Sequence, residues 1–145
     1  MFKKILVPVD GSEKALEALQ FAVNLQNAFN SELLILTVFR HHSLLEASMS
    51  MVRAEDPEVM DDIMRGHASN VAESSKESAR NFGSKQVRAF VKNGPPARTI
   101  VSFAEKRDVD LIVLGSRGHG DLEGFLLGSV SHKVTSLADC PVMVV

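Results

Sequence analysis

The sequence holds a single cysteine, Cys140, in 145 residues. No intramolecular disulfide can form, and a reducing cytoplasm is the compartment that fits. Nor is there a surplus of positive charge. The 16 basic and 18 acidic side chains leave a formal net charge of −2, with a pI near 6.2. Nonspecific attraction to nucleic acid needs a cationic excess, so this balance argues against that partner. No apolar run approaches the roughly 18 residues of a membrane span. The opening Ile5-Leu6-Val7-Pro8-Val9-Asp10 breaks at Pro8 and Asp10, too soon for a signal-peptide core. No linker or internal repeat divides residues 1–145, which read as one cytoplasmic domain without nucleic-acid or membrane partners. At 45% hydrophobic and 23% charged, the chain has the composition of a packed fold rather than a disordered one.

What is present is a set of short apolar runs: Ile5 to Val9, Leu33 to Phe39, Leu111 to Leu114 and Val142 to Val145. Continuous rather than alternating, they suit strands buried on both faces of a parallel sheet. Gln86 to Val91 alternates more and carries Arg88, which suits an edge strand. Helical patterns lie between. Ser12 caps the first, with Leu16, Leu19, Val23 and Phe29 at helical spacing. A second, from about Pro57 to Phe82, places Met60, Ile63, Met64, His67, Val71, Ser75, Ser78 and Phe82 on one stripe, with Pro57 in its first turn. His67 on that stripe reads as a core or interface histidine. A third follows Asn93-Gly94-Pro95-Pro96 with Ile100, Val101 and Ala104 inward. The fourth runs from Ser129 to Ala138 with Val130, Val134 and Leu137 inward. Residues 40–56 are irregular and read as a loop or short helix. The alternation predicts an α/β fold, an open, Rossmann-like, five-stranded parallel sheet with helices on both faces, and the strand order expected for it is 3-2-1-4-5.

In such sheets ligands sit beyond the carboxyl ends of the strands, where strand order reverses. Order 3-2-1-4-5 makes strands one and four neighbours there, so Asp10 and the loop from Gly115 flank one crevice. That loop runs Gly115-Ser116-Arg117-Gly118 and reaches Gly128-Ser129 at a helix start. Backbone N–H groups without a neighbouring Cβ, followed by a helix N-terminus, suit phosphate. Glycines also serve plain turns; the strand before and helix after favour the cradle. A Walker loop needs Gly-Lys-Ser/Thr and is absent: Leu127 precedes Gly128 and Ser129 follows it. The dinucleotide GxGxxG is missing after the first strand.

Val7-Pro8-Val9-Asp10-Gly11-Ser12, Asn93-Gly94-Pro95-Pro96-Ala97 and the Gly-x2-Gly-x9-Gly-Ser spacing of Gly115, Gly118, Gly128 and Ser129 resemble the universal stress protein family. The closing Cys140-Pro141-Val142-Met143-Val144-Val145 is also similar to that family's last strand. The glycine spacing resembles its ATP-binding branch. The resemblance implies that Asp10 contacts the ribose and Val38 lines the adenine pocket. It also implies that Gly115, Gly118, Gly128 and Ser129 take the ribose and phosphates. Pro8, Val9, Leu114, Val130 and Ser131 complete the expected site beside them. Helix capping with Ser12 is the alternative role for Asp10, and plain core the alternative for Val38. Arg117 is a candidate to neutralise phosphate or else a solvated loop arginine. Family members often carry an acidic residue shortly after the second strand, where this chain has Arg40-His41-His42.

Hydrolysis needs more than binding: a base or positioned water, and charge for the transition state. No lysine follows the loop and no His–Asp pair is spaced for water activation, so no catalytic residue is assigned. ATP is the expected ligand, with Mg2+ or Mn2+ held mainly by its phosphates and Ser129 assisting. The two adjacent histidines, His41 and His42, lack partners at ligand spacing, so no protein metal site is assigned. His119 and Lys133 read as solvated, and Cys140 as a packed, inert thiol. The expected function is an ATP-binding stress-response or signalling protein with slow or no hydrolysis. The nucleotide then acts as a conformational or oligomeric effector for an unidentified protein partner. A slow ATPase or nucleotide-transferring enzyme is one alternative, and a nucleotide-free dimeric scaffold another. An apolar edge strand left uncovered is a liability, and related proteins dimerise through it; a homodimer through Val142–Val145 is expected.

Overall fold

The computed structural model describes residues 1–40, 57–118 and 127–145. The predicted loop at 41–56, with His41 and His42, lies outside them, as does His119. Strands β1 (Lys4–Pro8), β2 (Glu32–Phe39), β3 (Val87–Asn93), β4 (Leu111–Leu114) and β5 (Val142–Val144) alternate with helices. These are α1 (Glu13–Phe29), α2 (Pro57–Asn81), α3 (Pro96–Lys106) and α4 (Ser129–Leu137). All strand pairs are parallel and their order is β3-β2-β1-β4-β5, as the sequence predicts. Ile5 pairs with Leu33 on one side and Leu111 on the other, which fixes β1 at the centre.

Successive side chains of a strand point to opposite faces, and the core divides accordingly. Ile5 and Val7 join Leu33, Ile35 and Val113 with Leu19 and Val23 of α1 and Ala79 of α2. Leu6, Leu34, Leu36 and Ile112 face Ile100, Val101 and Phe103 of α3 and Val134 of α4. Each fully buried aliphatic side chain contributes about 1.5–3 kcal/mol of transfer free energy. The continuous apolar runs of β1, β2 and β4 therefore reflect burial on both faces. The edge strand β3 carries Arg88, paired with Glu32 of β2.

Polar pins set the ends of the elements. Ser12 Oγ accepts the Ala15 N–H at 3.2 Å and starts α1. Buried Gln26 donates from Nε2 to the carbonyls of Ser31 (3.1 Å) and Gln86 (2.6 Å), and its Oε1 accepts from Ser84 Oγ at 2.6 Å. One side chain thus ties α1 to the start of β2 and the approach to β3.

The predicted helix stripes need correction. Leu16 is 44% exposed, and α1 buries Ala15, Ala18, Leu19, Ala22, Val23 and Gln26 instead. In α2 the buried positions are Ala68, Ala72 and Ala79; Ile63 is 56% exposed and His67 is exposed rather than in a core. Leu137 of α4 is also exposed, while Ser131 and Val134 are buried. Helices press close to a sheet through small side chains, so the contact line runs along alanines and the larger neighbours flank it. The last strand is half-buried rather than buried.

Candidate functional site

A cavity of about 360 Å³ opens over the carboxyl ends of β1, β2 and β4. From β1 and the turn after it come Pro8, Val9, Asp10 and Ser12. The Asp10-Gly11-Ser12 turn is held by Asp10 Oδ1, which accepts the Ser12 N–H at 2.9 Å, and Gly11 takes φ 86°, a conformation that favours glycine. Asp10 is exposed at the rim while Ser12 caps α1, so turn-building and a rim carboxylate coexist in one residue. On the β2 side stands half-buried Val38, also packed on the α3–α4 core.

Across β1, Leu114, Gly115, Arg117 and Gly118 form the opposite wall. Ser129, Val130 and Ser131, the first turn of α4, close it. The α4 N-terminus has no side-chain cap and no acidic residue in its first turn. The leading N–H groups of a helix have no intrahelical acceptors, and the helix dipole adds positive potential at that end. This end faces the cavity, whereas the α1 N-terminus is satisfied by Ser12.

The first turn is fixed in place. Buried Ser131 donates from Oγ to the Gly115 carbonyl at 2.7 Å, and Ser116 N–H donates to Val145 O at 2.8 Å. Gly128 does not line the cavity. It is the buried N-cap of α4, and its N–H donates to the Ser116 carbonyl at 2.6 Å. The two arms of the loop are therefore stitched together at Gly128, which orients Ser129 from behind.

Five lining residues were not among those expected from sequence: Ser12, Ala15, Arg40, Pro96 and Ile100. Arg40 directly follows β2 and adds a second guanidinium to that of Arg117. Pro96 and Ile100 come from α3, whose first turn rises from the Asn93-to-Pro96 segment to the same end of the sheet. The signal was present in that Gly-Pro-Pro segment, which marks a helix start at a strand's carboxyl end. Elsewhere, Lys133 is exposed as predicted. Cys140, two residues before β5, is half-buried, and burial, followed by the Asp110 and Asp139 charges, pushes its thiol up from the ordinary value.

Comparison with known proteins gives this arrangement a family. The model of the universal stress protein family matches residues 1–145. Universal stress protein YxiE of Bacillus subtilis is 38% identical, with 100% of this chain and 99% of that protein covered. The solved structure of MJ0577 of Methanocaldococcus jannaschii superimposes with a TM-score of 0.83 at 32% identity, covering 100% of this chain and 96% of that one. More distant members share the fold. One was solved in complex with cAMP (TM-score 0.72, 23% identity, 99% of this chain and 96% of that one), and one from Archaeoglobus fulgidus with dAMP (0.70, 20%, 99% and 97%).

Proposed function

The chain belongs to the universal stress protein family, and from that premise we propose that it is an ATP-binding regulatory protein that holds its nucleotide without rapid hydrolysis. The observation that carries this reading is the N-terminus of α4, without a side-chain cap, facing a cavity at the reversal point of the sheet. About 360 Å³ is within the usual range of roughly 300–1,000 Å³ for small-ligand pockets. Relatives captured with cAMP and dAMP support an adenine nucleotide as the ligand class.

In this reading the adenine lies against Val38 and the ribose hydroxyls donate to Asp10. The phosphates run toward Gly115 and Gly118 to the N–H groups and hydroxyl of Ser129, with Arg117 countering their charge. Gly128 acts indirectly, by locking the loop. A divalent ion carried with the triphosphate would be held mainly by phosphate oxygens, with the Ser129 hydroxyl as the protein ligand, and would neutralise charge there.

Asp10 is the one carboxylate among the described lining residues, and no histidine or lysine stands with it. Its Oδ1 already accepts from Ser12. Arg117 and Arg40 can answer phosphate charge, but the other need of phosphoryl transfer, a free base or a group that positions water, has no provider among these side chains. Bound nucleotide then acts by favouring one conformation or assembly over another. The assembly fits a dimer in which the half-buried edge strand β5 pairs with its copy, covering the open backbone of Val142–Val145.

The direct test is to denature the purified protein and chromatograph the supernatant by ion exchange. ATP, or ADP with ATP, in near-stoichiometric amount is the expected result. Protein that releases no nucleotide and gives no response to added ATP would favour an empty scaffold instead.

A further inference from the structure

Helix α3 walls a second depression, on a face the nucleotide reading does not use. A groove of about 600 Å³ runs between α3 and the end of the edge strand β3. Lys92, Arg98, Lys106 and Arg107 line it, with Ser102 and the buried ring of Phe103 between them. Among the described residues no carboxylate lines this groove and none of the four cations is in an ion pair. That concentration of one sign stands out in a chain of net charge −2.

The cations are arranged rather than scattered. The Arg107 guanidinium lies 4.2 Å from the centre of the Phe90 ring and 4.7 Å from that of Phe103. Stacking of this kind holds a guanidinium plane in place while leaving its edge open to an anion. Arg98, Ser102 and Lys106 follow one another at four-residue intervals on α3. At 1.5 Å rise per residue the row advances in steps of about 6 Å and spans about 12 Å. An extended peptide repeats side chains on one face every two residues, about 6.6–6.8 Å apart. The two spacings match over three side chains.

We propose that this groove docks an extended acidic segment of a partner protein, with two carboxylates four residues apart and an apolar residue midway. The carboxylates meet Arg98 and Lys106, and the apolar residue covers Ser102 and the Phe103 floor. Arg107 and Lys92 add charge on the flank. A row of side chains spanning about 12 Å suits an extended chain over a single small anion, which would need donors converging on one point. This inference stands apart from the nucleotide reading and survives its failure.

The test uses the full chain and a fluorescein-labelled peptide, Ser-Glu-Ser-Leu-Ser-Glu-Ser, followed by anisotropy at low salt. A second peptide of the same composition carries its two glutamates adjacent, and tripolyphosphate serves as a third probe. The expected result is saturable binding of the spaced peptide, about tenfold tighter than the adjacent one, and weakened by salt. Arg98→Glu and Lys106→Glu should each weaken it by about tenfold. Both side chains are exposed, and circular dichroism checks that both variants fold. Equal binding of the two peptides, or unchanged binding by the charge-reversed variants, would overturn the proposal. Tripolyphosphate binding where neither peptide binds would overturn it too, by making the groove an oligophosphate site.

Discussion

Gly115 lies so close to the backbone of Lys14 that a Cβ built on it would stand 2.8 Å from the Lys14 carbonyl carbon and oxygen. The first residue after β4 is therefore a glycine because α1 crosses directly over it. Its own carbonyl is held by Ser131 Oγ at 2.7 Å. One residue thus fixes both the helix capped after β1 and the helix that points into the cavity.

Gly115→Ala should lose about 1–3 kcal/mol of stability, the usual cost of overpacking where backbone cannot give way. Urea denaturation measures it. Since the clash also displaces α1 or the start of α4, affinity for ATP should fall in the protein that remains folded. A variant as stable as the wild type would show that α1 yields readily at Lys14.

Arg117→Gln should leave stability unchanged, because Arg117 lies in the loop after β4 and only partly under cover. Loss of a charge-assisted contact to phosphate costs about 1.5–3 kcal/mol, or roughly tenfold or more in affinity. ATP should suffer more than adenosine, which has no phosphate to lose. Equilibrium competition between the two ligands in wild type and variant reads the difference. Equal weakening of both would place Arg117 away from the phosphates.

The strands were legible in the sequence because burial on both faces leaves continuous runs such as Leu33 to Phe39, and the expected order 3-2-1-4-5 is the one found. The crevice followed from that order, which determines which strand ends meet. Helix faces were less legible. Leu16, Ile63 and Leu137 have the apolar character of core positions, yet the sheet core takes Ala15 and Ala79 because close approach rewards small side chains, and Ser131 is buried with its hydroxyl on the Gly115 carbonyl. Gly115 and Gly128 were legible as loop glycines but not in their roles. One answers to a helix from the other end of the chain and the other to a carbonyl twelve residues before it. Ile100 escaped notice because it enters the cavity from a helix whose sequence signals only a core face, and Arg40 was noted as a departure from the family's acidic residue but not assigned to the site.

Cys140 should be a slow nucleophile at neutral pH. Burial raises its thiol, with the Asp110 and Asp139 charges acting in the same direction. The fold then keeps the proton to higher pH than the unfolded chain does, so any linked stability is complete below the ordinary thiol range. As pH climbs above that range the unfolded chain ionises first, and the contribution is lost through the raised native value. Iodoacetamide should react more slowly with native protein than with protein in urea at the same pH. A faster native reaction would contradict the raised value.

Val144 offers a test of the edge pairing. It is half-buried on β5 and, unlike Met143 and Val145, is not packed into the cluster under α1. Val144→Asp places a charge where two copies of the strand would meet, and light scattering should show a dimer converted to monomer. A wild-type monomer at micromolar concentration would remove the dimer from the account.

Calorimetric titration of ATP into protein stripped of nucleotide asks the central question. A saturable signal of one ATP per chain, accompanied by a rise in thermal stability and by phosphate release far slower than dissociation, is the predicted result. No heat and no thermal shift at millimolar ATP would contradict the account.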